Sequence, residues 1–200
     1  MRDSLEKVAF FMQDVTEGWE KSEQLDKEMF DKAYNLATEV HKEQFREEGM
    51  PYITHIDGIL DIMKNELNDF NYRKWTVIAL HDVLEDSNKY TYEDLKTMFD
   101  NLIVDNVRVL TKVKGVSIEQ YLSNIEGYEF APTLIKIKLT DRLHNVRSLK
   151  NILNINKEKV RTYIAETKKY YLPLAQKNNK TLYTKLCEAL ESIDSILNEQ

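Results

Sequence analysis

Residues that end helices are scarce in this chain. Five glycines and three prolines are spread over 200 residues, and β-branched alternation is rare. A sequence so poor in turn-makers and in strand pattern favours an all-α fold. Apolar residues recur near helical spacing in successive segments. "SLEKVAFFMQDVTEGWEK" predicts a first helix carrying Leu5, Val8, Phe11 (or Ala9) and Val15, and "LDKEMFDKAYNLATEVHKEQF" a second whose Phe30, Ala33, Leu36, Ala37 and Val40 form a stripe. Gly49 and Pro51 in "REEGMPY" break it. Helices are expected next over about 54–67 and 71–87. Thr91 with Asp94 three residues later resembles a capping box and marks another start. After Asn101 comes a short helix or turn. The stretch around Gly115 and Gly127 reads as the least regular, with a mobile loop, and Pro132 opens a long helix. Two more helices, over about 157–177 and 180–198, close a single domain. Within it, residues 1–22 read as an N-terminal helical extension, 23–180 as the body and 181–200 as a C-terminal helix packed on the same domain.

The balance of 42% hydrophobic and 31% charged residues suits a soluble globular protein. No apolar run approaches the length that spans a bilayer, and the N-terminus turns polar too early for a signal peptide. Cys187 is the single cysteine, which excludes an internal disulfide framework and a cysteine-based zinc site. It reads as a small apolar filler on the last helix. These features together suggest the cytosol. A net charge of −6 argues against a nucleic-acid footprint over the surface. A small anion remains compatible, because local charge decides its binding.

Chemistry concentrates in "HDVLED". On one helix, His81 and Glu85 are four apart, as are Asp82 and Asp86, so one face would carry an imidazole and three carboxylates. Such crowding of like charge calls for a cation, and a metal ion is the obvious one. The remaining candidates are few. His55 lies just inside a helix after a turn, and Asp141 sits in an apolar helical run, where an acid is costly unless paired or metal-bound. Each has a plain alternative: His55 as a capping or core histidine, Asp141 paired with Arg142 or Lys138 on its own helix. As a set, His55, His81, Asp82 and Asp141 suit a mid-hardness divalent ion such as manganese and leave positions open for water and substrate.

The pattern "H…HD…D" at positions 55, 81–82 and 141 resembles the HD-domain metal-dependent phosphohydrolases. The words "HKEQFREEGMPYITH", "ALHDVLED", "IKLTDRLHN" and "ETKKYYLPLA" resemble, in order and spacing, the hydrolase domain of the RelA/SpoT family and its small stand-alone versions, from about residue 30 to 176. The resemblance implies an HD-type helical bundle and a manganese-dependent enzyme that removes the 3′-pyrophosphate of ppGpp and pppGpp. It implies that His55, His81, Asp82 and Asp141 hold the metal and that Glu85 and Asp86 handle the attacking water. For the substrate it implies Arg46 at the guanine base and Asn145 at the ribose. Tyr163 is expected to line the pocket. Arg142, with Lys112 and Lys138, is a candidate phosphate partner as well as an ordinary surface charge. His41 and His144 read as scaffold. Where the family has a basic residue after the arginine, this chain has Glu47 and then Glu48, and acids there disfavour a highly anionic substrate. The larger members continue into a synthetase domain, so the expectation is a hydrolase without synthetic activity. Two other readings stay open: an HD phosphohydrolase acting on another nucleotide phosphate, and a nucleotide-binding module without catalysis. Retention of Glu85 and Asp86 argues against the second.

Overall fold

The computed structural model describes the backbone of residues 2–86 and 89–198 and the side chains of residues 18–85 and 89–197. Among these residues the fold is all-α, with no strand and one isolated bridge between Phe45 and Pro51. None of the described helices is long and apolar enough to cross a membrane.

The two helices expected at the start are one. Helix α1 (Arg2–Val40) runs unbroken, because residues 20–28 contain no breaker and their side chains pair along the helix. Gln24 donates to Glu28 at 2.9 Å and Lys27 to Asp31 at 2.8 Å. Its buried residues Ala33, Ala37 and Val40 face the core. The helix stops at Val40, before the expected end, and the chain folds into a tight loop. Arg46 N donates to Met50 O at 2.8 Å, and Gly49, at φ +84°, makes the reversal.

Helix α2 (Ile53–Asp61) continues through a widened π turn at Ile62–Glu66. The helix expected over 71–87 is broken: α3 (Tyr72–Leu80), capped by Asn71, and α4 (Val83–Asp86) are separated at His81–Asp82. The capping box at Thr91–Asp94 is present and starts α5 (Tyr92–Met98). Helix α6 (Asn101–Leu110) follows, and α7 (Ile118–Glu126), capped by Ser117, occupies the middle of the stretch expected to be irregular. Helix α8 (Ala131–Ser148) carries Pro132 in its first turn. The helix expected over 157–177 divides into α9 (Lys157–Glu166) and α10 (Leu172–Asn178) around a π turn at Thr167–Tyr171. Helix α11 (Lys180–Asn198) packs along α8.

Helix α8 is the axle of the bundle. It touches α2, α3, α6, α7, α10 and α11, and buries Leu134, Ile137, Leu139, Leu143 and Val146. Since α8 is covered on most sides, its sequence shows no single apolar stripe.

A charged brace fastens α11 to this core. Glu66 receives Arg147 of α8 at 2.5 and 3.1 Å and Lys185 of α11 at 2.7 Å. The Arg147 guanidinium, with Lys185 beside it, holds the Glu66 carboxyl down to about 2 against the effect of burial. A depressed carboxyl contributes stability that is present above its unfolded pKa and is lost as pH falls toward about 2. Glu66→Gln is therefore expected to lower unfolding free energy by about 1 kcal/mol at pH 7, and by much less near pH 2. Urea titrations at the two pH values read the difference; an equal loss at both removes the ion pair from the explanation.

Candidate metal centre and adjoining groove

Three elements converge on one spot. His81 ends α3, and its Nδ1–H donates to the Ile78 carbonyl at 2.7 Å. The side chain thus shares the Ile78 carbonyl with the backbone N–H of the same residue at the end of α3. Its Nε2 is buried and makes no well-formed hydrogen bond, although Asp82 Oδ2 lies 2.9 Å away. From α2, His55 points its Nε2 to within 3.2 Å of Asp141 Oδ1 and 3.9 Å of Asp82 Oδ2. One donor atom each from His55, His81 and Asp82 lies within 4.8 Å of the others. Asp141, from the middle of α8, stands at the edge of this cluster. Its Oδ1 also accepts from Asn145 at 2.6 Å and its Oδ2 from Lys138 at 2.8 Å. Of the two helix partners expected for Asp141, Lys138 is the one that pairs.

Two imidazole nitrogens and a carboxylate oxygen gathered within 4.8 Å of one another are a donor set that fits a divalent ion. The charges agree. Burial alone would raise the Asp82 and Asp141 carboxyls, yet His81 beside Asp82, and Lys138 with His55 beside Asp141, hold both below the usual carboxylate range. Burial would likewise lower His81, but the adjoining Asp82 and Asp141 carboxylates overcome it and push the imidazole up to about 9. The acids thus attract a cation to this spot.

Tyr52, which sequence reading passed over, and the two histidines expected as scaffold complete the surroundings. Tyr52, in the word "PYITH", donates its hydroxyl to Asp82 Oδ2 and stacks on His41 at 4.5 Å between centroids. His41 thus supports a residue of the cluster. His144 meets His55 Nδ1 through its own Nδ1 at 2.9 Å, which fixes the His55 ring with Nε2 toward the acids. Burial, with His55 and Arg46 nearby, lowers His144 to about 4, so it is neutral at neutral pH. Its ring lies against the backbone of α2 at Gly58, where no side chain would fit. A glycine inside an apolar helical run, "THIDGIL", was the available signal.

Beyond the break Glu85 is exposed, and its Oε2 accepts from Lys112 N at 3.0 Å, tying α4 to the segment after α6. The side chain of Asp86 lies outside the described residues.

Beside the cluster runs a groove of about 250 Å³ lined by Arg46, Tyr52, Asn145 and Tyr163 among others. Tyr52 and Asn145 belong to both, each bonded to an acid of the cluster. Arg46 donates through Nη2 to Asn145 Oδ1 at 3.1 Å and through Nε to Glu48 at 2.9 Å. Arg142 is not in the groove. It is buried, paired with Glu166 and sandwiched between the rings of Tyr163 and Tyr171 at 4.0 and 3.7 Å, so it braces Tyr163 from behind. A larger cavity of about 430 Å³ lies between α6 and α7 and contains neither histidine nor cluster acid.

No family model matches the chain. It is 34% identical over 157 residues to the guanosine-3′,5′-bis(diphosphate) 3′-pyrophosphohydrolase of Aquifex aeolicus, covering 75% of this chain and 21% of that protein. With the enzyme of the same name from Borreliella burgdorferi it shares 34% over 186 residues, covering 88% of this chain and 26% of the relative. The chain thus spans about a fifth to a quarter of the length of these curated relatives. Among solved structures, a metazoan ortholog of SpoT, described as hydrolysing ppGpp and acting in starvation responses, superposes with a TM-score of 0.70 at 23% identity. That match covers 82% of this chain and 94% of the other, and it is a likeness of fold. Over three quarters or more of its length the chain is thus similar to one segment of these pyrophosphohydrolases, and its all-α fold is that of the SpoT ortholog.

Proposed function

We propose that this chain hydrolyses the 3′-pyrophosphate of guanosine alarmones, converting ppGpp or pppGpp and water to GDP or GTP and pyrophosphate, with manganese as the metal. The observation that carries the reading is the gathering of His55, His81 and Asp82 beside a groove whose Tyr52 and Asn145 bond to Asp82 and Asp141. The names of the relatives give the substrate class.

In this reading His55, His81, Asp82 and Asp141 hold the ion. When bound, a divalent ion supplies Lewis acidity, drawing charge from a phosphoryl oxygen and easing deprotonation of water. Glu85, anchored by Lys112 N, orients the attacking water and accepts its proton, with Asp86 as its acidic neighbour. The water oxygen bonds to the phosphorus next to O3′, the P–O3′ bond breaks, and the proton that Glu85 took from the water is returned, directly or through solvent, to O3′ of the departing nucleotide. Arg46 and Asn145 hold the guanosine, the first through a planar guanidinium suited to stacking on a purine, and Tyr163 walls the pocket. Residues 23–180 serve as the hydrolase domain, with 1–22 an extension and 181–200 packed on the same body.

Glu85→Gln separates binding from chemistry. The variant is expected to take up manganese as the parent does, while ppGpp turnover falls by about 10²–10⁴-fold, the range of a general base. Metal content by atomic absorption and initial rates give the two numbers. Turnover at the parental rate with metal bound would remove Glu85 from the mechanism.

A further inference from the structure

The groove is charge-balanced, and its two ion pairs differ in strength. Its charged lining residues are Arg46, Glu47, Glu48 and Lys159, two of each sign. Arg46 is tied to Glu48, and both side chains are enclosed, 14% and 12% exposed. Lys159, in the first turn of α9, is tied to Glu47 on the opposite loop, and here the side chains are 54% and 27% exposed. A phosphate entering the groove therefore meets no uncommitted cation among the described lining residues. It must take one from a carboxylate. A solvated lysine pair is worth little and exchanges readily, whereas the enclosed arginine pair is also fixed by Asn145. Lys159 is the cation that exchanges.

We infer that Glu47, by holding Lys159 across the groove, limits how much negative charge the groove accepts, so that it favours guanosine phosphates with fewer 5′-phosphates. The inference rests on the proposed guanosine-phosphate reading of the groove. One phosphate can draw Lys159 away from Glu47, but every phosphate there is opposed by the Glu47 carboxylate left behind, a like charge. Glu47 is thus a selectivity element, and the sequence alone did not reveal the cation it holds.

Calorimetric titration of the full chain in chelator with guanosine, GMP, GDP and GTP tests this without requiring turnover. Glu47→Gln is expected to tighten GTP by about fivefold and to leave guanosine unchanged. Lys159→Ala is expected to weaken GTP by a similar factor, again sparing guanosine. An equal effect on guanosine and GTP, a GTP affinity indifferent to both substitutions, or no GTP binding by any of the three proteins would overturn the inference. The two readings fail separately. Charge dependence as described in a chain that leaves ppGpp intact keeps the selectivity and refutes the hydrolase; hydrolysis of ppGpp and pppGpp in a ratio unmoved by Glu47→Gln does the reverse.

Discussion

Asp82→Ala is expected to lose divalent-ion binding and ppGpp hydrolysis together, with the helical fold retained. Asp82 contributes one atom of the three-residue donor cluster, accepts the Tyr52 hydroxyl and faces His81 Nε2. Its removal leaves two imidazoles and the edge carboxylate of Asp141, which is already engaged by Lys138 and Asn145. Loss of a group that only orients a metal ligand costs 10–100-fold, so loss of a ligand should cost at least ~100-fold in affinity and in rate. Asp82→Asn supplies the control of shape, since an amide can still accept from Tyr52 but carries no charge. Calorimetric manganese titration and circular dichroism decide the case. Parental affinity in Asp82→Ala would mean that the cluster is not the metal centre.

The second large effect runs against helix propensity. Gly58 lies within α2, and glycine-to-alanine changes inside helices ordinarily stabilise by about 0.5–1 kcal/mol. Here a Cβ would stand 2.1 Å from His144 Nε2 and 2.2 Å from its Cδ2, far inside contact distance. The ring must swing away or α2 must shift, and either movement breaks the 2.9 Å contact that orients His55. Gly58→Ala should therefore destabilise by about 1–3 kcal/mol, as overpacking does, and weaken metal binding by about 10–100-fold. The double variant Gly58→Ala/His144→Ala should regain stability, because the clash is gone, and should not regain affinity. A Gly58→Ala protein more stable than the parent would show that the ring has room to move.

What was legible in the sequence was local chemistry. The shortage of glycine and proline fixed the all-α class, and the Thr91–Asp94 box was readable because its partners are three residues apart. Histidines and an apolar-flanked aspartate were rare enough to nominate His55, His81, Asp82 and Asp141 before any contact was seen. Tertiary choices were not legible. The α3–α4 break falls where His81 bonds back to its own helix end, while periodicity alone continues the helix through it. Arg142 looks like a surface cation until Tyr163, Tyr171 and Glu166 enclose it. Glu47 looks repulsive until Lys159, 112 residues away, pairs with it.

The most direct test of the proposed activity is the identity of the products. Purified protein, manganese and ppGpp are incubated beside a panel of other nucleotide phosphates and separated by ion exchange, with Asp82→Ala in parallel. The account predicts GDP and pyrophosphate in equal amounts from ppGpp, and none from the variant. Intact ppGpp in a reaction where the same metal-loaded protein cleaves a different nucleotide phosphate would contradict it.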